Sequence, residues 1–233
     1  MRYSQGNYIV PVYVGNLNVV TSPAVVDLLG LLAYGELSSF EQMAADAHNA
    51  PTLFDKSEMS KFATGEFEHY QKICVRISSL GVDPIDAMSP FSKALDAHHA
   101  QLVPSNWLEG LVKSYIGEGI AADFYREVSK FLDKETAELV EEVLADNGLA
   151  DFAVERIRHA CENDSVTAGR LALWGRRMMG EMIAQAVLVA QARMELAQLF
   201  ITEEANAGSD IDGLVNRLTV GHARRMDVLG FAS

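Results

Sequence analysis

The sequence predicts an all-α protein built around an antiparallel four-helix bundle. Apolar residues recur every three or four positions from residue 22 onward, which is the period of an amphipathic helix. Helix-capping and helix-stop residues divide this stretch into four long segments and a longer fifth one. A connection with three prolines, Pro84, Pro90 and Pro104, separates the second segment from the third. Its length favours a crossover between two helical hairpins over a tight turn.

The first two predicted helices form one hairpin. The first spans residues 23–47, because a Ser-Pro pair supplies an N-cap followed by a proline at the first helical position. The second spans residues 55–80, since an Asp-x-x-Glu capping box begins it and Gly81 follows its last apolar residue. The crossover that follows contains a short predicted helix around residues 91–101.

The third and fourth predicted helices form the second hairpin. The third spans residues 105–132, and Asp133 then caps a fourth that covers residues 133–162. A fifth helix starts near residue 164, continues to about residue 204 and packs outside the bundle. Its apolar stripe is broad and rich in small residues, which suits packing against other helices.

The chain is predicted to be one helical domain with two terminal extensions. Residues 1–21 are rich in valine and contain a Gly-Asn turn signal, which predicts an extended arm or a hairpin. Residues 22–205 form the helical domain. Residues 206–233 are predicted to form a short capped helix and a tail.

Composition and charge exclude several classes of protein. A net charge of −13 and a pI of about 4.8 disfavour bulk nucleic-acid binding and anionic membranes, since both need clustered lysine and arginine. Cys74 and Cys161 lack CxxC spacing and fit reduced thiols. The apolar run near the N-terminus is too short and too polar for a signal peptide or a membrane span. We therefore expect a cytoplasmic protein with no membrane partner.

Each of the four predicted bundle helices carries a carboxylate in the middle of its apolar face. These residues are Glu36, Glu66, Glu118 and Asp146, and His69 follows Glu66 by one helical turn. An antiparallel bundle brings the middles of its helices together, so the four carboxylates converge near its axis. They repel one another there unless they share protons or bind divalent cations. Carboxylate and imidazole ligands suit iron or manganese.

Two features leave alternatives open. The carboxylates and His69 can instead form a buried polar network that partners such as Arg177 or Tyr115 close. Asp123 competes with Glu118 as the inward acid of the third helix, or it orients a ligating imidazole.

Histidines outside the apolar faces are not predicted to bind metal. His98, His99 and His48 lie in polar segments, where an imidazole is normally solvated. They differ in this respect from His69, which lies on an apolar helix face.

The arrangement of a Glu on one helix and Glu-x-x-His on the next resembles the ligand set of ferritin-like di-iron carboxylate proteins. Glu36 and Glu66-x-x-His69 match the first half of that set. More narrowly, the stretches "LLGLLAYGELSSFE", "GEFEHYQKI", "LEGLVKSYIGEGIAADFYRE" and "LADFAVERIR" resemble the MiaE-like family. Those proteins are similar to the bacterial tRNA hydroxylase that acts on 2-methylthio-isopentenyladenosine. The resemblance covers about residues 23–200 and implies a ferritin-like fold with an iron site.

The second half of the ligand set departs from the family pattern. The expected Glu-x-x-His becomes Asp146-x-x-Leu149, and an alkyl side chain cannot ligate a metal. The second metal position is therefore either asymmetric or lost.

Two functions follow from the resemblance and from this departure. The first is a di-iron oxidoreductase or hydroxylase that uses O2, with Glu36, Glu66, His69, Glu118 and Asp146 as metal ligands. Its implied partners are a small-molecule or modified-base substrate and an electron-donor reductase. Separately, we expect a homodimer. The alternative is a non-catalytic ferritin-like scaffold or storage protein that holds one metal or none.

Overall fold

A computed structural model describes residues 22–145, 147–192 and 207–231 of the chain. Within these residues the protein is helical and contains no strand, which confirms the predicted all-α class. The helices are α1 (Pro23–His48), α2 (Leu53–Ser79), α3 (Pro84–Gln101), α4 (Trp107–Ser129), α5 (Lys134–Val143), α6 (Leu149–Cys161), α7 (Ser165–Ala192) and α8 (Ala207–Val228). The predicted arm or hairpin at residues 1–21 lies outside the described residues.

Helix α2 begins two residues earlier than its predicted start at residue 55. Its N-cap is Thr52, whose Oγ1 accepts a hydrogen bond from the backbone N–H of Asp55 at 3.1 Å. The same hydroxyl donates to Oδ2 of Asp55 at 2.6 Å. The first turn is therefore fixed by Thr52 and Asp55 and not by the predicted pair of Asp55 and Glu58, because Thr52 has the extended backbone of an N-cap whereas Asp55 already lies in the first helical turn.

The crossover between the two hairpins is mostly helical. Helix α3 has 18 residues and starts at Pro84, earlier than the short helix predicted at 91–101. The N-cap Asp83 accepts from the backbone N–H of Ile85 at 2.7 Å. Helix α3 lies close against α1: a Cβ atom added to Gly30 would stand 2.7 Å from the carbonyl carbon of Ala87. A glycine is required there because the two backbones nearly touch.

The predicted continuous helix at 133–162 is wrong. The structure has two helices in this segment: α5 ends at Val143, and α6 begins at Leu149. Gly148 adopts a φ of 91°, a left-handed conformation that interrupts a helix. The side-chain Oδ1 of Asn147 accepts from the backbone N–H of Leu149 at 3.0 Å and begins α6 anew. Leu149 is therefore the first residue of a new helix and not a position in the middle of one.

Two apolar clusters fill the bundle, one on each side of its middle. The first includes Met43, Met59, Phe62, Leu111, Ile116 and Ile157. The second includes Leu28, Ile73, Ile77, Phe91, Val128 and Val140. Along both α1 and α2, residues of the two clusters are separated by a stretch that contains the predicted metal ligands. The polar residues thus lie at the boundary between two apolar cores.

Helices α7 and α8 pack on the outside of the bundle. Helix α7 contacts α3, α4 and α6, and α8 contacts α4 and α7. Helix α8 has 22 residues, which is longer than the short helix predicted for the C-terminal region. Leu218 and Met226 bury its apolar face in the first cluster, and Leu229 and Phe231, which follow the helix, join the same cluster. None of the described helices is long and apolar enough to span a membrane.

Candidate metal centre

Three of the predicted ligands meet between α1 and α2. One ligand atom from each of Glu36, Glu66 and His69 lies within 4.8 Å of the other two. Glu36 and Glu66 expose only 6% and 4% of their surface, and His69 is partly buried. Nδ1 of His69 stands 3.4 Å from Oε2 of Glu36. The antiparallel pairing of α1 with α2 produces this arrangement, since His69 follows Glu66 on the same face.

Burial leaves the carboxyl groups of this cluster poorly stabilised as anions. It raises the pKa of Glu36 to about 8, and the charge of Glu118 contributes further. Burial, followed by the charges of Glu118 and Glu36, raises the pKa of Glu66 to about 10. Burial also raises the pKa of Glu118. Such groups stay protonated at neutral pH unless a cation takes the place of their protons.

The donor set of the cluster fits a transition-metal ion. Oε2 of Glu36 is buried and has no hydrogen-bond partner among the described residues, and such an atom needs a ligand or a proton. Ligand bonds of about 2.0–2.2 Å place the ligand atoms of one ion within about 4 Å of one another, so small side-chain rotations suffice. Two carboxylates and an imidazole suit iron or manganese.

Glu118 approaches the cluster from α4. Its Oε1 accepts a hydrogen bond from the hydroxyl of Ser39 at 2.7 Å, and its charge acts on Glu36 and Glu66. Ser39 stands one turn after Glu36 on α1. It holds the Glu118 carboxylate beside the cluster, although nothing in its sequence position distinguishes it from an ordinary helical serine.

The second half of the predicted ligand set is different in structure as well as in sequence. Asp146 lies outside the described residues. Leu149 exposes 5% of its surface and lines the same cavity as the carboxylates. Nδ2 of Asn147 lies 3.5 Å from Oε1 of Glu66, so the break between α5 and α6 brings an amide to the cluster. The position of Asn147 is a consequence of Gly148 and was not predicted from the sequence.

A cavity of about 340 Å³ adjoins the cluster. Glu36, Glu66, His69 and Glu118 line it together with small and apolar residues, among them Ala122, Val143, Leu144 and Leu149. Tyr115, Arg126 and Arg225 add polar groups to the lining. This volume lies at the lower end of the range for small-molecule sites.

The alternative of a closed polar network lacks its cationic partners. Arg177 donates to the backbone carbonyl of Gln101 at 2.9 Å and stacks on Trp174, away from the cluster. Asp123 pairs instead with Arg225 of α8 and with Arg126 of its own helix. Among the described residues, no lysine or arginine forms an ion pair with the carboxyl groups of the cluster.

The histidine pair in the crossover is separate from the cluster. His98 and His99 lie in α3 and are partly buried rather than fully solvated. Nδ1 of His99 stands 2.9 Å from Nε2 of Gln42. Neither histidine belongs to the group of converging ligand atoms, so the pair provides a matched control for experiments on His69.

The raised carboxyl pKa values predict how stability depends on pH. In the unfolded chain, Glu36 and Glu66 lose their protons near the ordinary pKa of 4.5. In the native metal-free protein they keep these protons until the pH reaches about 8 for Glu36 and about 10 for Glu66. The free energy of unfolding therefore falls as pH rises through this window, by on the order of a few kcal/mol. Thermal melts in EDTA from pH 5 to pH 9 should show this fall. The Glu36→Gln, Glu66→Gln double variant should have a flatter profile, and parallel profiles would contradict the assignment.

Comparison with known proteins agrees with the fold. A family model described as a ferritin-like domain of actinomycetes matches residues 21–203. The chain belongs to this ferritin-like family. A solved structure described as protein 19 with aldehyde deformylating oxidase activity from Synechococcus is similar to the ferritin-like chain, with a TM-score of 0.63. The two are 17% identical, and the match covers 91% of this chain and 96% of the other. No curated protein sequence matches significantly.

Proposed function

We propose that this ferritin-like protein binds iron and is an O2-dependent oxidoreductase. The convergence of ligand atoms from Glu36, Glu66 and His69 within 4.8 Å carries this proposal. The buried and unpartnered oxygen of Glu36 supports it, because it calls for a cation or a proton. The named activity of the Synechococcus protein, which shares the fold, is also an oxidase activity.

Each residue of the cluster has an assigned part in holding the metal. Glu36, Glu66 and His69 provide ligands for one ion, and Glu118 extends the site toward a second. Because of its position in the sequence, we also propose Asp146 as a ligand on the Glu118 side of the site. Ser39 fixes the Glu118 carboxylate through its 2.7 Å hydrogen bond, as supporting hydrogen bonds commonly do for metal ligands. When bound, iron supplies the electrons for the reduction of O2.

The cavity beside the cluster is the proposed substrate site. Its wall includes the apolar Val143, Leu144 and Leu149 and leaves room for a small molecule or a single modified base. Hydroxylation of such a substrate agrees with the resemblance to the tRNA hydroxylase family. The net charge of −13 opposes binding of a whole tRNA. The reaction requires an external electron-donor reductase.

Consumption of O2 tests the proposed reaction class. Iron-loaded protein, reduced with dithionite and freed of excess reductant, should consume O2 faster than an equal concentration of free ferrous iron. The Glu66→Ala, His69→Ala variant should not exceed free iron, whereas the His98→Ala, His99→Ala variant should match the wild type. Wild-type protein that binds iron without faster O2 consumption would indicate a storage protein or scaffold.

A scaffold with one metal or none is the second candidate function. The buried and apolar Leu149 favours it, because this side chain takes the place of a ligand at the cavity wall. A complete di-iron enzyme would be expected to carry an imidazole in that half of the site.

The Leu149→His variant separates an asymmetric site from a lost one. The new imidazole would face the cavity that contains the carboxylates, so it should increase uptake of a second metal ion. It would also bury a polar group in place of an apolar one, which should cost about 1–3 kcal/mol without metal. Melting curves should therefore begin lower for the variant and rise further on addition of iron. Equal shifts for variant and wild type would mean that the second position cannot hold metal.

A further inference from the structure

We infer that the N-terminal half of helix α7 is the contact surface of a homodimer, in which it packs antiparallel against the same helix of a second copy of the chain. The inference combines two exposed apolar side chains, a glycine between them and charges of opposite sign at the two ends of this surface. It does not depend on the proposed function, because no residue of the metal cluster takes part.

The outer side of α7 exposes large apolar side chains. Val166 exposes 81% of its surface and Leu173 exposes 67%. The two residues are seven positions apart, so they lie on the same side of the helix and are separated by two turns. Leu171 and Met178 are buried in the first apolar cluster on the other side. The surface formed by Val166, Gly169 and Leu173, called the α7 face below, therefore has no partner that the bundle supplies.

The α7 face continues into a groove at the same end of the bundle. Arg170 lies one turn after Val166 and one turn before Leu173, and it lines this groove of about 860 Å³ together with Phe54. Phe54 and its neighbour Leu53 are both exposed. A stable dimer buries about 1,200–2,000 Å² of surface in total. The groove adds apolar surface to the helix, so the exposed side chains form a patch rather than isolated residues.

Gly169 leaves space in the middle of the α7 face. A Cβ atom at this position would have no neighbour within 4 Å among the described residues. Packing within one copy therefore does not require a glycine, although glycine is less favourable than alanine inside a helix. The missing side chain lets the backbone of a second helix approach closely. In an antiparallel pair of α7 helices, the Gly169 residues of both copies meet at the centre.

An antiparallel arrangement makes the α7 face complementary to itself. Val166 precedes Gly169 by three positions, and Leu173 follows it by four. With Gly169 at the two-fold axis, Val166 of each copy therefore faces Leu173 of the other. A two-fold interface uses the same surface on both subunits, so a pattern that matches itself on reversal favours a second copy over an unrelated partner.

The charges at the two ends of the α7 face are complementary under the same reversal. Glu162 and Asp164 are exposed just before the helix, and Arg176 and Arg177 are exposed beyond Leu173. The register that pairs Val166 with Leu173 also brings the acidic end of one copy to the basic end of the other. Charges at the rim of an interface fix its orientation more than they add affinity. A parallel pair would instead bring like charges together.

Arg170 lies near the two-fold axis, where its charge is balanced within its own copy. Its Nε stands 3.5 Å from Oε1 of Glu109, which is buried. A carboxylate beside each guanidinium reduces the repulsion between the Arg170 residues of the two copies. The centre of the interface is therefore compatible with these charges.

Sedimentation velocity of the full chain over a dilution series tests the inference. The wild type should reach twice the chain mass of 25.5 kDa. Leu173→Gln should weaken dimerisation at least ~10-fold, since it replaces an apolar contact on both sides of the axis. Val75→Gln is the matched control, because Val75 is 70% exposed but lies on α2. Its dimerisation should equal that of the wild type.

Variants of Gly169 separate the interface from the fold. The methyl group of Gly169→Ala has room within one copy, so the midpoint of urea unfolding in dilute solution should equal or exceed that of the wild type. The same group would hold two copies apart and should weaken dimerisation at least ~10-fold. Gly169→Cys should form a disulfide between copies under mild oxidation, since this residue faces itself across the axis. Val75→Cys should not.

Three results would overturn the inference. The first is a wild-type protein that stays monomeric at every concentration. The second is a dimer that Leu173→Gln and Gly169→Ala leave unchanged, which would place the contact elsewhere. The third is a dimer that Gly169→Cys does not cross-link, which would exclude the antiparallel register. The wild-type measurement decides the first point even if a variant fails to fold.

Discussion

Replacement of both Glu66 and His69 by alanine is expected to abolish iron binding. The two residues contribute two of the three ligand atoms that converge within 4.8 Å, so a single carboxylate of that group, Glu36, remains. Loss of residues that merely support a ligand already costs 10–100-fold in metal affinity, and loss of two ligands should cost more. We expect the iron content of purified protein to fall below about one tenth of the wild-type value. Metal analysis by mass spectrometry measures it directly.

The matched control for this variant is His98→Ala with His99→Ala. These histidines lie in α3 and contribute no ligand atom to the cluster, so iron content should equal that of the wild type. An iron content that followed His98 and His99 instead of Glu66 and His69 would place the metal in the crossover.

Gly30→Ala is expected to destabilise the fold by about 1–3 kcal/mol through overpacking. Helix propensity alone predicts a gain of about 1 kcal/mol for this change. The new Cβ would stand 2.7 Å from the carbonyl carbon of Ala87, and a backbone atom cannot rotate away as a side chain can. Helices α1 and α3 must therefore separate. Thermal or urea unfolding measures the loss.

Gly35→Ala provides the control on the same helix. A Cβ atom at Gly35 would have no neighbour within 4 Å, so the change should be neutral or stabilising by up to about 1 kcal/mol. If Gly30→Ala unfolded at the same urea concentration as Gly35→Ala, the close approach of α1 and α3 would be wrong.

The main features of the fold were predictable from sequence because they depend on local patterns. The helical period and the N-caps identified the bundle. A carboxylate that points inward can be recognised in the sequence because it interrupts the apolar face of its helix. Glu36, Glu66 and His69 were found in this way, since all three lie on long and regular helices. The break after α5 was missed because Gly148 can be tolerated within a helix, and only the tertiary structure shows its positive φ.

Interactions between distant segments were not predictable in the same way. Arg225 binds Gly119 and Asp123 across more than a hundred residues of sequence. Neither the charge of Arg225 nor the presence of Gly119 indicates the pairing of α4 with α8. Ser39 was missed for a related reason, because its partner Glu118 lies on another helix.

X-ray diffraction at the iron absorption edge, from crystals of protein purified from iron-supplemented cells, is the most direct test of the metal centre. We predict an anomalous peak within ligand distance, about 2.0–2.2 Å, of Glu36, Glu66 and His69, with any second peak on the Glu118 side. If crystals of the iron-supplemented protein showed anomalous peaks only elsewhere, or none at all, the cluster of Glu36, Glu66 and His69 would not be a metal centre.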